Sequence, residues 1–170
     1  CKLNNAIAEC YEPNPECFRL LEQNALPFKC VKTAITAIEG STINFFISRD
    51  KTNHTRGTII NKGKLQATDA VVNTHIHHLC KNKYDGIKMD IEGSEFGILD
   101  SGMIPWCDKL VLEYHTSRDP SWENLQRRIK LLKSLFQLVK YPPEYDRIIT
   151  SKQPAKTFFD RFIFCKGRIK

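Results

Sequence analysis

The sharpest chemical signal in this chain is a set of charges on alternate positions of an apolar segment. In Ile87-Lys-Met-Asp-Ile-Glu-Gly-Ser-Glu95, a strand places Lys88, Asp90 and Glu92 on one side, and Gly93 permits a tight turn into a following helix. Ionisable groups at such positions of a buried strand are costly unless paired or used. Plain ion pairing of Lys88 with Asp90 on an edge strand is the competing reading. Glu95 is placed to meet the exposed amides of the helix. Two further acids end strands. Glu12, in Tyr11-Glu-Pro-Asn-Pro15, can accept both donors of a vicinal diol, or else is a solvated acid near a helix start. Val111-Leu-Glu-Tyr-His115 ends on Glu113 and His115, an imidazole suited to a base role and equally explained as a structural histidine.

The elements that must position these residues alternate in type. Ala6 to Tyr11 reads as a strand stopped by prolines, and Pro15 to Asn24 as a helix with Pro15 in its first turn. Phe28 to Ile38 and Ser41 to Ser48 read as a strand and its hairpin partner across Glu39-Gly40. Arg49 to Gln66 is polar and basic and reads as a surface loop. Ala70 to Thr74 predicts a short strand, Ile76 to Lys81 a short helix, and Asp85-Gly86 a turn before the strand Ile87 to Glu92. A helix Glu95 to Leu99, a strand Asp108 to His115, a helix from Trp122 to Phe136 and a strand Phe158 to Cys165 follow. Strands separated by helices predict an α/β fold with a mostly parallel sheet, whose ligands bind at the carboxyl ends of the strands.

Composition bounds the function. With 170 residues, 41% hydrophobic and 26% charged, the chain can form one domain with a real core and is neither collagenous nor disordered. No apolar run approaches the roughly 20 residues needed to cross a bilayer. Twenty-six Lys+Arg against 19 Asp+Glu give a net charge of +7, dispersed along the chain. Arg127, Arg128, Lys130 and Lys133 read as the solvated face of the Trp122 helix. An RNA or acidic-lipid surface is the alternative, extended by Lys51, Arg56, Lys62 and Lys64. No aromatic platform accompanies these charges, so nucleic acid is disfavoured as a partner. The tail Lys166 to Lys170 reads as mobile. Seven cysteines without a C-x-x-C pair read as buried thiols of a reducing compartment, the cytoplasm. His75, His77 and His78 lack a completing ligand at zinc spacing, and although Asp90 and Glu92 would suit magnesium, no metal is assigned.

Taken together, Tyr11-Glu-Pro-Asn-Pro15, the Ile87 to Glu95 segment with Leu99 and Gly102, and Val111 to His115 resemble the FkbM-type methyltransferases from about Ile7 to Cys165. The resemblance implies a Rossmann-like fold with a C-terminal antiparallel strand, in a single domain spanning 1–170. It implies transfer of a methyl group from S-adenosylmethionine to an oxygen of a sugar, lipid or other small molecule. Glu12, Asn14 and Asp90 would hold the cofactor, Glu12 at its ribose and Asp90 near the methyl-transfer site. Asp90, Glu92 and His115 would be catalytic, the latter two facing the acceptor. The family pattern also implies an upstream central strand and a glycine-rich loop. The first glycine here is Gly40, so both are missing from this sequence, which reads as starting in mid-protein. Loss of that strand would open the sheet between the strands ending at Glu12 and Glu92. The alternative is a non-catalytic, methyltransferase-like binding module, with a basic RNA-associated protein as a third class.

Overall fold

The computed structural model describes residues 6–47, 57–58, 66–152 and 160–169. One compact unit holds Cys1–Ile35 and Glu39–Thr74, the other Thr36–Ile38 and His75–Lys170. The basic positions Lys51, Arg56, Lys62 and Lys64 lie outside the described residues. Among the described residues no helix is long and apolar enough to cross a membrane.

In the first unit, β1 (Glu9–Tyr11) pairs in parallel with β2 (Lys29–Val31), and α1 (Pro15–Asn24) connects them. The helix starts where its sequence allows. Asn14 Oδ1 accepts from the Glu16 and Cys17 amides at 3.0 and 3.4 Å, Pro15 loses no bond in the first turn, and Glu16 meets the positive end of the helix dipole. Asn14→Ala is expected to cost about 1 kcal/mol of helix stability, read as faster hydrogen exchange at the Glu16 and Cys17 amides.

A second sheet has the order β3-β6-β4-β5, from β3 (Ala34–Thr36), β4 (Thr42–Ile47), β5 (Gly57–Thr58) and β6 (Gln66–His75). The expected hairpin of β3 with β4 does not form, because the ten-residue β6 lies between them. Thr33, just ahead of β3, is drawn to β6 by hydrogen bonds from its hydroxyl to Val72 O at 2.9 Å and with Thr74 Oγ1 at 3.1 Å. Asn73 closes the other side, donating to Gly40 O at 2.9 Å.

The second unit is built on a sheet of order β7-β8-β10-β9, formed by β7 (Lys83–Met89), β8 (Trp106–His115), β9 (Phe136–Lys140) and β10 (Asp160–Arg168). Only β7 and β8 are parallel, since β10 runs antiparallel to both β8 and β9. The architecture is therefore mixed α/β with several sheets, and the mostly parallel sheet is not observed. The expected C-terminal antiparallel strand is present. It reaches Arg168, so Lys166 to Arg168 are ordered in the sheet and not a mobile tail. Asp85 and Gly86 lie within β7, where Gly86 stands opposite Lys109, and make no turn.

Helices α2 (Ser94–Ser101), α3 (Trp122–Leu135) and α4 (Pro143–Ser151) complete this unit, with a 3-10 turn at Ile76–Lys81. Leu110, Leu112 and Tyr114 alternate into the core from β8, as a half-buried strand requires. Phe96 of α2 and Tyr145 of α4 meet the Tyr114 ring edge-on, and Tyr145 Oη donates to Tyr114 O at 3.2 Å. From α3, Leu125, Ile129 and Leu132 are buried at helical spacing. Arg128 shares that buried stripe, which corrects its placement on a solvated face. It is 3% exposed and held by Asp100, Asp119 and the Tyr114 hydroxyl.

Candidate active site

The site residues of the second unit gather at the carboxyl ends of the parallel pair β7 and β8, where Met89 stands beside Leu112. The strand β7 ends at Met89, so Asp90 and Glu92 do not share a strand face with Lys88. Glu92 adopts φ 52° and Gly93 φ 105°, a left-handed double step that turns the chain into α2. Gly93 is suited to this backbone, whereas Glu92 is an uncommon occupant of it. Lys88 Nζ reaches Asp90 Oδ2 at 2.8 Å, as the ion-pair reading expects.

Behind this turn lies a buried polar group. Glu95 is 0% exposed, and its Oε2 accepts from the Gly93 amide at 2.7 Å. Its Oε1 lies 2.7 Å from His115 Nδ1 and 3.4 Å from the His115 amide. A buried carboxylate without such partners would be strongly disfavoured, and here backbone and imidazole donors satisfy it. The pairing also orients His115. With Nδ1 donating to Glu95, the imidazole presents Nε2 as its acceptor, 3.6 Å from Glu92 Oε2. Arg118 approaches the same Glu92 oxygen at 3.4 Å.

Asp90, Glu113 and His115 converge, with one ligand-capable atom of each within 4.8 Å of the others. Burial raises the Glu113 carboxyl, and the neighbouring Asp90 raises it further. Asp90 also resists burial, but its bond to Lys88 and the hydrogen bond shared with Glu113 outweigh this and lower it. The arrangement can hold a hydroxyl-bearing ligand among oxygen acceptors and remove its proton at an imidazole.

Sequence reasoning located Asp90, Glu92 and His115, and the structure brings all three together. It placed Glu113 only at a strand end and gave Glu95 to the amides at the helix start, where it does meet the Gly93 amide, without the bond to His115. A buried acid one turn into a helix that follows a strand is the signal that points to Glu95. Glu12 and Asn14 belong to the first unit. Glu12 follows β1, is half-buried, and its Oε1 accepts from the Asn14 amide at 2.7 Å. The Asn14 side-chain oxygen, expected to help hold a cofactor, instead caps α1. The histidines at 75 and 77 approach through their Nδ1 atoms at 2.6 Å. Among the described residues, Asp90, Glu113 and His115 form the only group of three with metal-binding potential.

Comparison with known proteins bears on these geometries. No curated protein and no solved structure matches the chain. A family model described as the methyltransferase FkbM domain matches residues 4–143, which takes in Glu12, the Asp90 turn, Glu95, Glu113 and His115. The chain belongs to the FkbM methyltransferase domain family.

Proposed function

We propose that the chain is one Rossmann-like, S-adenosylmethionine-dependent methyltransferase domain acting on a hydroxyl oxygen of a sugar, lipid or other small molecule. The observation that carries this reading is the buried Glu95–His115 pair beside Asp90 and Glu113 at the ends of β7 and β8. In a methyltransferase, a base at this place serves an oxygen acceptor, whose proton must leave as the methyl group arrives.

The residues for the cofactor fit it in part. Glu12 offers a half-buried carboxylate at the end of a parallel strand, the chemistry a ribose diol requires. Asn14 braces the same turn through its cap and through its amide, which donates to Glu12. When bound, the cofactor supplies an electrophilic methyl carbon on a sulfonium. His115 Nε2 takes the acceptor's hydroxyl proton, and Glu95 Oε1 steadies the imidazolium through Nδ1. Asp90 and Glu92 would orient the hydroxyl, its oxygen directed at the methyl group that the cofactor would supply.

Calorimetric titration tests the binding half of this reading. Glu12→Ala is expected to weaken S-adenosylmethionine binding by at least about tenfold, as loss of two charge-assisted hydrogen bonds should. Unchanged affinity would remove Glu12 from the site. Failure of the full-length protein to bind would favour the non-catalytic binding module.

A further inference from the structure

We infer that Asp90, Glu113 and His115 form a site for a small divalent cation of the manganese or magnesium class. Ligand atoms around such an ion lie about 2.0–2.2 Å from it, so pairs of them stand about 3 Å apart when adjacent and about 4.3 Å when opposed. The three donors here lie within 4.8 Å of one another, so rotation of the side chains is needed to bring them onto one ion. Two carboxylates and one imidazole favour manganese over calcium, and the absence of a thiolate makes a structural zinc site a poor match.

A second observation separates this group from an ordinary patch of surface acids. The His115 side chain is 5% exposed, and its Nδ1 is fixed at 2.7 Å by a fully buried glutamate. Ligating histidines are oriented in this way, the carboxylate partner setting the tautomer and raising the basicity of the other nitrogen. The backbone fixes the group further, since Asp90 leads into the Glu92–Gly93 double step, while Glu113 and His115 share β8. Two cations face the cluster and compete with an ion: Lys88 at Asp90 Oδ2 and Arg118 at Glu92 Oε2. Glu92 adds negative charge beside the site without being needed as a ligand.

Three protein ligands leave about three positions of an octahedral ion open, enough for water and one or two oxygens of a hydroxyl-bearing molecule. With Nε2 on the ion, His115 would not serve as the base, and the cation would instead lower the pKa of a coordinated hydroxyl. The metal site thus offers the methyltransferase reading a different means of removing that proton, and ion binding does not depend on that reading.

The experiment titrates manganese(II) into the whole chain without any cofactor and follows loss of the six-line paramagnetic resonance signal of the aqueous ion. One ion per chain is expected, displaced by excess magnesium. Glu113→Gln and Asp90→Asn should each weaken binding by at least about tenfold, and Glu95→Gln by about 10- to 100-fold through loosening of His115. Near-ultraviolet circular dichroism identifies any variant that fails to fold. Glu113→Gln, on the half-buried side of β8, keeps the test decisive if Glu95→Gln does not fold. No manganese binding by the unaltered chain, or unaltered binding by folded Glu113→Gln and Asp90→Asn, overturns the site. Calorimetry with S-adenosylmethionine separates the two proposals. Cofactor binding without manganese binding refutes only the metal site, and manganese binding without cofactor binding refutes only the methyltransferase reading.

Discussion

Arg128→Ala is expected to destabilise the second unit by about 3 kcal/mol, read as a lower urea midpoint. Arg128 donates to Asp100 at 2.7 and 2.8 Å, to Asp119 at 2.7 Å and to the Tyr114 hydroxyl at 2.8 Å, and its guanidinium lies 4.5 Å from the Phe96 ring centre. Truncation leaves two carboxylates and a buried hydroxyl without these donors. The loss stays at the low end for a broken buried pair because Asp100 is 34% and Asp119 18% exposed, so both recover some water. Arg128→Lys should rescue little, since one ammonium cannot reproduce a fork bonded to three partners. The hydrogen bond from Arg128 holds the Asp100 carboxyl below its ordinary value, with Arg127 adding to the effect. Its contribution to stability is therefore complete above the unfolded value of about 3.9 and is lost as pH falls through the lower folded value. Asp100→Asn should flatten the pH dependence of stability below about pH 4. Unfolding midpoints for Arg128→Ala that match the parent chain would show that the guanidinium network contributes nothing net.

Glu95→Gln should lower kcat for methyl transfer by about 10²- to 10⁴-fold, with little change in the affinity for S-adenosylmethionine. Glu95 accepts from the Gly93 amide, the His115 amide and His115 Nδ1 with two oxygens. A glutamine has one acceptor oxygen and an amide that donates, so one of these donors then meets a donor. The least costly escape turns the imidazole into its other tautomer, with Nδ1 accepting and Nε2 protonated. In that form Nε2 cannot take the acceptor's proton. The variant should fold, at a cost of about 1–3 kcal/mol for the imperfectly paired buried group. A folded variant with parental kcat would show that Glu95 does not position the base.

What the sequence disclosed, and what it withheld, follows from the range of the interactions. The helix α3 was legible because Leu125, Ile129 and Leu132 recur at three and four, and Ser121 caps it by accepting from the Asn124 amide. Arg128 was misplaced because a cation on an apolar stripe is recognisable only when Asp100, in α2, is known to lie beside it. The strand β9 was hidden because Phe136 both caps α3 and opens the strand, leaving no turn residues between them. The helix α4 was hidden because Pro142-Pro143 looks like a break, whereas Pro143 in a first turn begins a helix. At the site, Asp90, Glu92 and His115 were legible as ionisable residues at strand ends. The bond of Glu95 to His115 was not, because it joins residues 20 positions apart. The mostly parallel sheet failed for a similar reason. Local pattern marks a strand but does not give its direction beside a distant neighbour, and β10 enters antiparallel between β8 and β9.

That central position of β10 has a consequence for how the chain folds during synthesis. The pair β7 and β8 emerges from the ribosome in order and can zip together with α2 between them. By contrast, β9 borders only β10, which is translated later, after α4 and the segment that follows it. Until then β9 has no strand partner among the described residues, and β8 shows a bare edge to other nascent chains. A pause in translation between β9 and β10 would lengthen that exposure. Synonymous codons that slow elongation there should raise the aggregated fraction without altering a single amino acid.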